Sequence, residues 1–496
     1  MPSRMSLLHS PQGQKMEKPQ NSCSSVTDPS SRSPTGILVV SYHAPLGYHA
    51  PLGCSGTSPL PPKDIPAGIN YVITAFASAK IFNTGSYYTP FKPLSEIRAL
   101  FDSGAKVCMA IGGWGDDEGF GTGAATDESR KTFAKNVAET VEKLGYDCVD
   151  VDWEYPGGNG EDYKVITNDK KTSEIESFPK LLSEIKLAIG EKELSIAVPA
   201  RKPDLIAYTA EQMPKINAAV DFVNVMAYDI MNRRDNVTIH QSSVVDSKAV
   251  VEHYMQLGLD ARKLNLGFPF YAKYFETQGE CVQPVGCPTV LLESENGIDT
   301  HKSGAVTFET VSFSDPGFAK AMQNGILDSE RGGQWYWSPE SKKFWTWDTP
   351  ELVTRKFEEI VKPMKLGGVF AWSMGEDSKD WGHIKAMQEG VKGLKDGGHV
   401  KAMQEDVKGL KDGGHVKAMQ EDVKGLKDGG HVKAMQEDVK GLKDGGHVKA
   451  MQEDVKGLKD GGHVKAMQED VKGLKDGGHV KAMQEDVKGL PDPECL

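Results

Sequence analysis

The chain has 496 residues, a net charge of −12 and a pI near 5.6. Its length exceeds one small domain and suits a barrel with insertions. The acidic balance argues against nucleic acid or an anionic membrane as partner, and no run of about 18 apolar residues is present to span a bilayer.

Residues 1–35 are rich in Ser, Pro and Gln and are expected to be a disordered N-terminal segment. They show no signal peptide, because the apolar core of a secretory leader is missing, and the compartment stays open. Strand-like apolar runs follow at 36–42, 69–77, 106–112, 147–153, 194–199, 221–228, 263–270 and 367–373. Between them, apolar residues recur at helical spacing over 127–144, 178–189, 244–257 and 352–361. Eight strands alternating with helices predict an α/β fold, a (β/α)8 TIM barrel over 36–395, with its chemistry at the C-terminal strand ends. Directly after the first strand, Tyr42-His-Ala-Pro-Leu-Gly is repeated from Tyr48 and lengthens a loop at the mouth.

The gap after the seventh strand predicts a small α+β insertion, about 272–345, between strand 7 and helix 7. Its aromatics, Trp335, Tyr336, Trp337, Phe344, Trp345 and Trp347, read as the insertion's own core rather than a wall for ligand stacking. Residues 396–490 are tandem 16-residue repeats with His at 399, 415, 431, 447, 463 and 479. Val400, Met403, Val407 and Leu410 make a helical apolar stripe that Gly409, Gly413 and Gly414 weaken, so a partly helical, solvated tail is expected rather than a stacked solenoid. One His per unit, with no second ligand type, does not make a metal site. Residues 491–496 form a terminal tail. Seven cysteines do not make a disulfide scaffold. Cys281 and Cys287 would close a small loop in an oxidising compartment, whereas Cys108 and Cys148, inside strands, read as buried thiols.

The fourth run, Asp147-Cys-Val-Asp150-Val-Asp152-Trp-Glu154-Tyr155, stands apart. Strand alternation puts Asp150, Asp152 and Glu154 on one face and Val149, Val151 and Trp153 on the other. Crowded carboxylates push their pKa values apart, which keeps one acid protonated near neutral pH as a proton donor. A half-exposed solvated strand and a hard-cation site are the competing readings. The barrel assignment weakens the first, because barrel strands are buried on both faces, and it places Glu154 at the catalytic end.

Asp-x-x-Asp-x-Asp-x-Glu, here Asp147, Asp150, Asp152 and Glu154, resembles the signature of family 18 glycoside hydrolases, the class V chitinases. Ala110-Ile-Gly-Gly113-Trp114, Met226-Ala-Tyr228-Asp229, Leu266-Gly-Phe-Pro-Phe-Tyr271 and Ala371-Trp372-Ser373 are similar to further motifs of that family, in order. The wording of Gly112–Gly121 and Trp153–Tyr163 is similar to its fungal members. The resemblance implies hydrolysis of β-1,4-linked N-acetylglucosamine polymers with retention. The substrate's own acetamide would serve as nucleophile, through an oxazolinium intermediate. Glu154 would then be the acid and base, Asp152 the orienter of the acetamide, Asp150 its proton-sharing neighbour and Tyr228 a donor to the acetamide oxygen. Trp372 would floor the reacting sugar, with Met226, Asp229, Trp114, Tyr155 and Gly113 binding substrate. No cofactor and no metal are implied. Chitin or chitooligosaccharides would be the partner, and the chain would be a monomer. Ala110 stands where the family usually has Ser, and Cys148 where it has Gly. A lectin-like chitin binder with impaired catalysis, and an endo-β-N-acetylglucosaminidase, remain as alternatives. Asn236-Val-Thr238 would accept a glycan only in a secreted chain.

Overall fold

The structure is a computed structural model that describes residues 37–43, 65–85, 88–309 and 316–395, together with two short strands in each tail repeat. The N-terminal segment, most of the duplicated loop and the last residues lie outside the described residues. Eight parallel strands close a barrel: β1 (Ile37–His43), β2 (Tyr71–Ala77), β3 (Lys106–Gly112), β4 (Cys148–Asp152), β5 (Glu193–Val198), β6 (Phe222–Val225), β7 (Leu264–Pro269) and, after the insertion, Gly368–Trp372. That last strand pairs with β7 on one side and β1 on the other, so no barrel edge is left open.

Two apolar layers hold the barrel. Val149 and Val151 of β4, with Trp153 just after it, point outward, into a core shared with Phe133 and Val137 of helix Asp127–Leu144 and Leu182 and Ile185 of helix Glu174–Ile189. The first of these helices starts on a capping box, Thr126 accepting from the Ser129 N–H while the Ser129 hydroxyl accepts from the Thr126 N–H. Inside the barrel, Cys108, Ala110, Cys148, Ala197, Phe222 and Phe370 pack together. Asp150 and Asp152 share that interior at 4% and 6% exposure. A solvated face for β4 is thereby excluded.

The insertion supplies β8 (Tyr271–Glu276), β9 (Ser303–Thr307), β10 (Ile326–Asp328), β11 (Gly333–Ser338) and β12 (Lys343–Trp347), one antiparallel sheet in the order β10-β11-β12-β8-β9. Trp335, Phe344, Trp345 and Trp347 are buried inside it, with Trp335 stacked on Phe344 at 6.1 Å and Trp345 on Phe318 at 5.4 Å. The insertion meets the barrel mouth instead through Tyr271, Lys273 and Phe275 of β8 and Ser303 and Gly304 of β9.

Two features depart from the sequence reading. Cys108 and Cys148 are not thiols but a disulfide, whereas Cys281 pairs with Cys287 as the spacing suggested. Cys108 and Cys148 are register partners on adjacent strands, both facing the barrel interior, with Cα atoms 4.4 Å apart. That placement brings the two sulfurs within bonding reach. The tail is the second. Its first, divergent copy is the helix Gly382–Lys395, but the described residues of the later copies are strands, His399–Ala402 and Val407–Lys408 and their equivalents. Each pairs in parallel with its twin sixteen positions on, His399 opposite His415 and Val407 opposite Val423. Identical units let every strand meet its own copy in register, while the repeated glycines disfavour helix.

Candidate active site

Every site residue singled out in the sequence lines one cavity of about 470 Å³ at the C-terminal end of the barrel: Gly113, Trp114, Asp150, Asp152, Glu154, Tyr155, Met226, Tyr228, Asp229 and Trp372. Strand β3 meets β4 closely here. The Gly113 N–H donates to the Asp152 carbonyl at 2.8 Å. A Cβ on Gly112 (φ 105°) would sit 2.3 Å from that carbonyl, and one on Gly113 (φ 88°) would sit 2.6 Å from the Phe76 ring. Glycine is therefore required at both positions.

The carboxylates form a graded series. Asp150 lies deepest. Its Oδ1 accepts from the Ser195 hydroxyl at 2.5 Å and from Asn224 Nδ2 at 3.0 Å, and Asn265 Nδ2 in turn donates to Asn224 Oδ1 at 3.0 Å. Burial pushes Asp150 up to about 6, against the pull of those two donors. Asp152 is raised well above the usual carboxylate range by burial, then by Glu154 and Asp150, and its Oδ1 is buried without a hydrogen-bond partner. Burial also lifts Glu154 to about 8; a Tyr155 hydrogen bond pulls it down, and Asp229, Asp117 and Asp204 push it further up. Glu154 is thus a carboxylic acid at neutral pH, half-buried at the end of β4 and facing the cavity.

Strand β6 ends at Val225, three residues before the sequence reading has it, so Met226, Tyr228 and Asp229 belong to the loop at the mouth. Met226 still continues the ladder, its N–H donating to the Val198 carbonyl at 2.9 Å. Tyr228 packs edge-on against Tyr271 at 6.1 Å and beside Phe370 at 6.0 Å. Burial, with Asp152 nearby, holds its phenol far above its ordinary pKa, so it stays a donor. Asp229 has φ 54° and accepts from the Tyr271 hydroxyl and from Lys273 Nζ, both at 2.7 Å. Trp372 stacks on Phe76 at 5.5 Å and is only partly buried. Trp114 is 45% exposed and packs edge-on against Tyr155 at 6.1 Å.

The sequence reading missed Phe76, Ser195, Asn224, Lys273, Arg233 and Arg234, all of which line the cavity or hold a carboxylate in it. Ser195 and Asn224 carried a signal, as single polar residues inside the apolar runs Leu-Ser-Ile-Ala-Val and Phe-Val-Asn-Val. Among the described residues, no group of three or more His, Cys, Asp or Glu side chains is arranged to hold a metal ion.

Residues 44–377, more than half of the chain, match the family described as glycosyl hydrolases family 18. Chitinase 1 of Aphanocladium album is 28% identical over 291 residues, covering 55% of this chain and 62% of that protein. Nod factor hydrolase protein 1 of Medicago truncatula is 28% identical over 278 residues, covering 52% of this chain and 65% of the relative. The matched region thus spans less than two thirds of the length of these relatives. Among solved structures, the Ostrinia furnacalis Group II chitinase catalytic domain 2 superposes with a TM-score of 0.57 at 21% identity, over 72% of this chain and 96% of that one. A chitinase from Cycas revoluta in complex with (GlcNAc)3 gives 0.54 at 22%, over 71% and 99%. At such identities the structural likeness establishes the fold.

Proposed function

This chain belongs to glycosyl hydrolase family 18, and from that footing we propose that it hydrolyses β-1,4-linked N-acetylglucosamine polymers with retention, the catalytic unit being residues 36–395. The observation that carries the reading is Glu154, an acid with a pKa raised to about 8, beside a buried Asp152 whose Oδ1 has no partner. Chitooligosaccharides bound in a solved relative support the substrate class.

The sugar whose bond is cut rests on the partly exposed face of Trp372, since C–H-rich sugar faces suit aromatic rings. Its 2-acetamido oxygen attacks the anomeric carbon, and the glycosidic bond breaks as Glu154 gives its proton to the leaving oxygen. Asp152 Oδ1 accepts the acetamide N–H, which aims the carbonyl and stabilises the positive oxazolinium ion. Asp150, held ionised by Ser195 and Asn224, fixes the proton on Asp152. Tyr228 donates to the acetamide oxygen. Glu154, now a carboxylate, takes a proton from water, which opens the oxazolinium ring and restores both the acetamide and the acid. The leaving sugar lies on the Tyr155 and Trp114 side of Glu154.

Hydrolysis of a chitin hexamer by the wild type and by Glu154→Gln tests the reading. Wild-type turnover that falls by about 10²–10⁴ in the variant is expected. Tight binding without wild-type turnover would overturn it.

A further inference from the structure

Beside Trp114, Arg234 ties the loop after β6 to the loop after β4. Its guanidinium lies 3.8 Å from the centre of the Tyr163 ring and 5.5 Å from that of Trp114, within reach of both rings. Its Nη atoms donate to the carbonyls of Asn159 and Gly160, at 3.0 and 3.1 Å. A planar fork with five donors suits this combined stacking and carbonyl binding, which a lysine would not reproduce. Arg234 comes from the loop after β6, and its partners come from the loop after β4. The Tyr163 hydroxyl donates onward to Glu293 of the insertion, whose other oxygen accepts from Arg233 Nε at 2.5 Å. The Glu293 side chain is 5% exposed and that of Arg233 27%, so this ion pair is partly shielded from water. The cavity lining reaches Arg233 and Arg234 but includes neither Tyr163 nor Glu293, which stand behind them. Trp114 lines the same cavity and keeps 45% of its surface exposed.

We propose that Arg234, clasped by Tyr163 and by the Glu293–Arg233 pair, closes the groove beyond Trp114, so that no more than two sugars fit on the leaving-group side and short fragments are removed from the reducing end of the polymer. The inference rests on the hydrolase reading and adds a limit on substrate reach. Trp114 serves as the last sugar platform, and Arg234 fills the place of the next one.

The test is the early product pattern from a chitin hexamer labelled at its reducing end, resolved by mass spectrometry. In the wild type the label is expected on fragments of one or two sugars, with longer labelled fragments rarer by roughly tenfold or more. Arg234→Ala should bring the longer labelled fragments to comparable abundance. Glu293→Gln, which loosens the clasp while leaving the arginine in place, should shift the pattern the same way by less. Wild-type turnover that releases labelled trimers and tetramers freely overturns the proposal and leaves the hydrolase reading standing. So does a folded Arg234→Ala with the wild-type pattern. Absence of turnover on every oligomer overturns both.

Discussion

Replacing Ser195 by alanine should move the acid limb of the pH–rate profile to higher pH. The Ser195 hydroxyl is fully buried and donates to Asp150 Oδ1 at 2.5 Å, with Asn224 Nδ2 the second donor at 3.0 Å. Burial drives the Asp150 pKa up to about 6, and these two donors keep it from rising further. A hydrogen bond to a charged group is worth about 1.5–3 kcal/mol, and one pKa unit corresponds to about 1.4 kcal/mol. Losing one donor to the charged form therefore raises Asp150 by roughly one to two units. On the proposed mechanism Asp150 must be ionised to hold the Asp152 proton, so activity at low pH should disappear sooner. On the same mechanism the alkaline limb is that of Glu154, whose protonated form is lost as pH rises through about 8. It should stay nearly in place, so the active window narrows from the acid side and peak activity falls. The assay is kcat/KM against pH on a fluorogenic chitobioside, with the melting temperature as a control for folding. An acid limb that stays put or moves down in a folded Ser195→Ala would refute the role given to Asp150.

Tyr228→Phe removes one donor to the acetamide oxygen and should lower kcat by about 10²–10³ with little change in KM, by analogy with the loss of an oxyanion donor; steady-state kinetics reads the split. Asp348→Ala should destabilise the fold by about 3–5 kcal/mol in urea unfolding, because it strands the buried Lys356 ammonium, which now pairs with Asp348 at 2.5 Å. Replacing Cys108 and Cys148 together by alanine opens a loop of 40 residues between adjacent barrel strands and should destabilise by roughly 4 kcal/mol on the chain-entropy estimate. A denaturation midpoint equal to that of the wild type would count against a bond in solution.

The barrel was readable because its strands are apolar on both faces and its helices carry one apolar stripe, two patterns that local sequence displays directly. The carboxylate strand was readable by a different pattern, since alternation alone assigns Asp150 and Asp152 to one side and Val149 and Val151 to the other. Pairing between strands was not. Cys108 and Cys148 become a bridge only through the β3–β4 register, which nothing in either strand states. The tail reversed for a related reason: its apolar spacing suits a helix, yet stacking against identical copies satisfies the backbone in strands. Arg234 was invisible because its partners Tyr163, Trp114 and the Asn159 carbonyl come from other loops. Ser195 and Asn224 were missed despite a visible cue, a lone polar residue in a strand otherwise fit for the core.

In the proposed reaction the substrate, and not a protein carboxylate, supplies the nucleophile. The direct measurement is the identity of the sugar at each new reducing end when partially deacetylated chitosan is digested. Only sugars bearing the N-acetyl group can attack their own anomeric carbon, so every new reducing end should be N-acetylglucosamine. Glucosamine appearing at new reducing ends in proportion to its abundance would show that Asp152 or another carboxylate performs the attack, and would contradict the roles assigned to Asp152 and Tyr228.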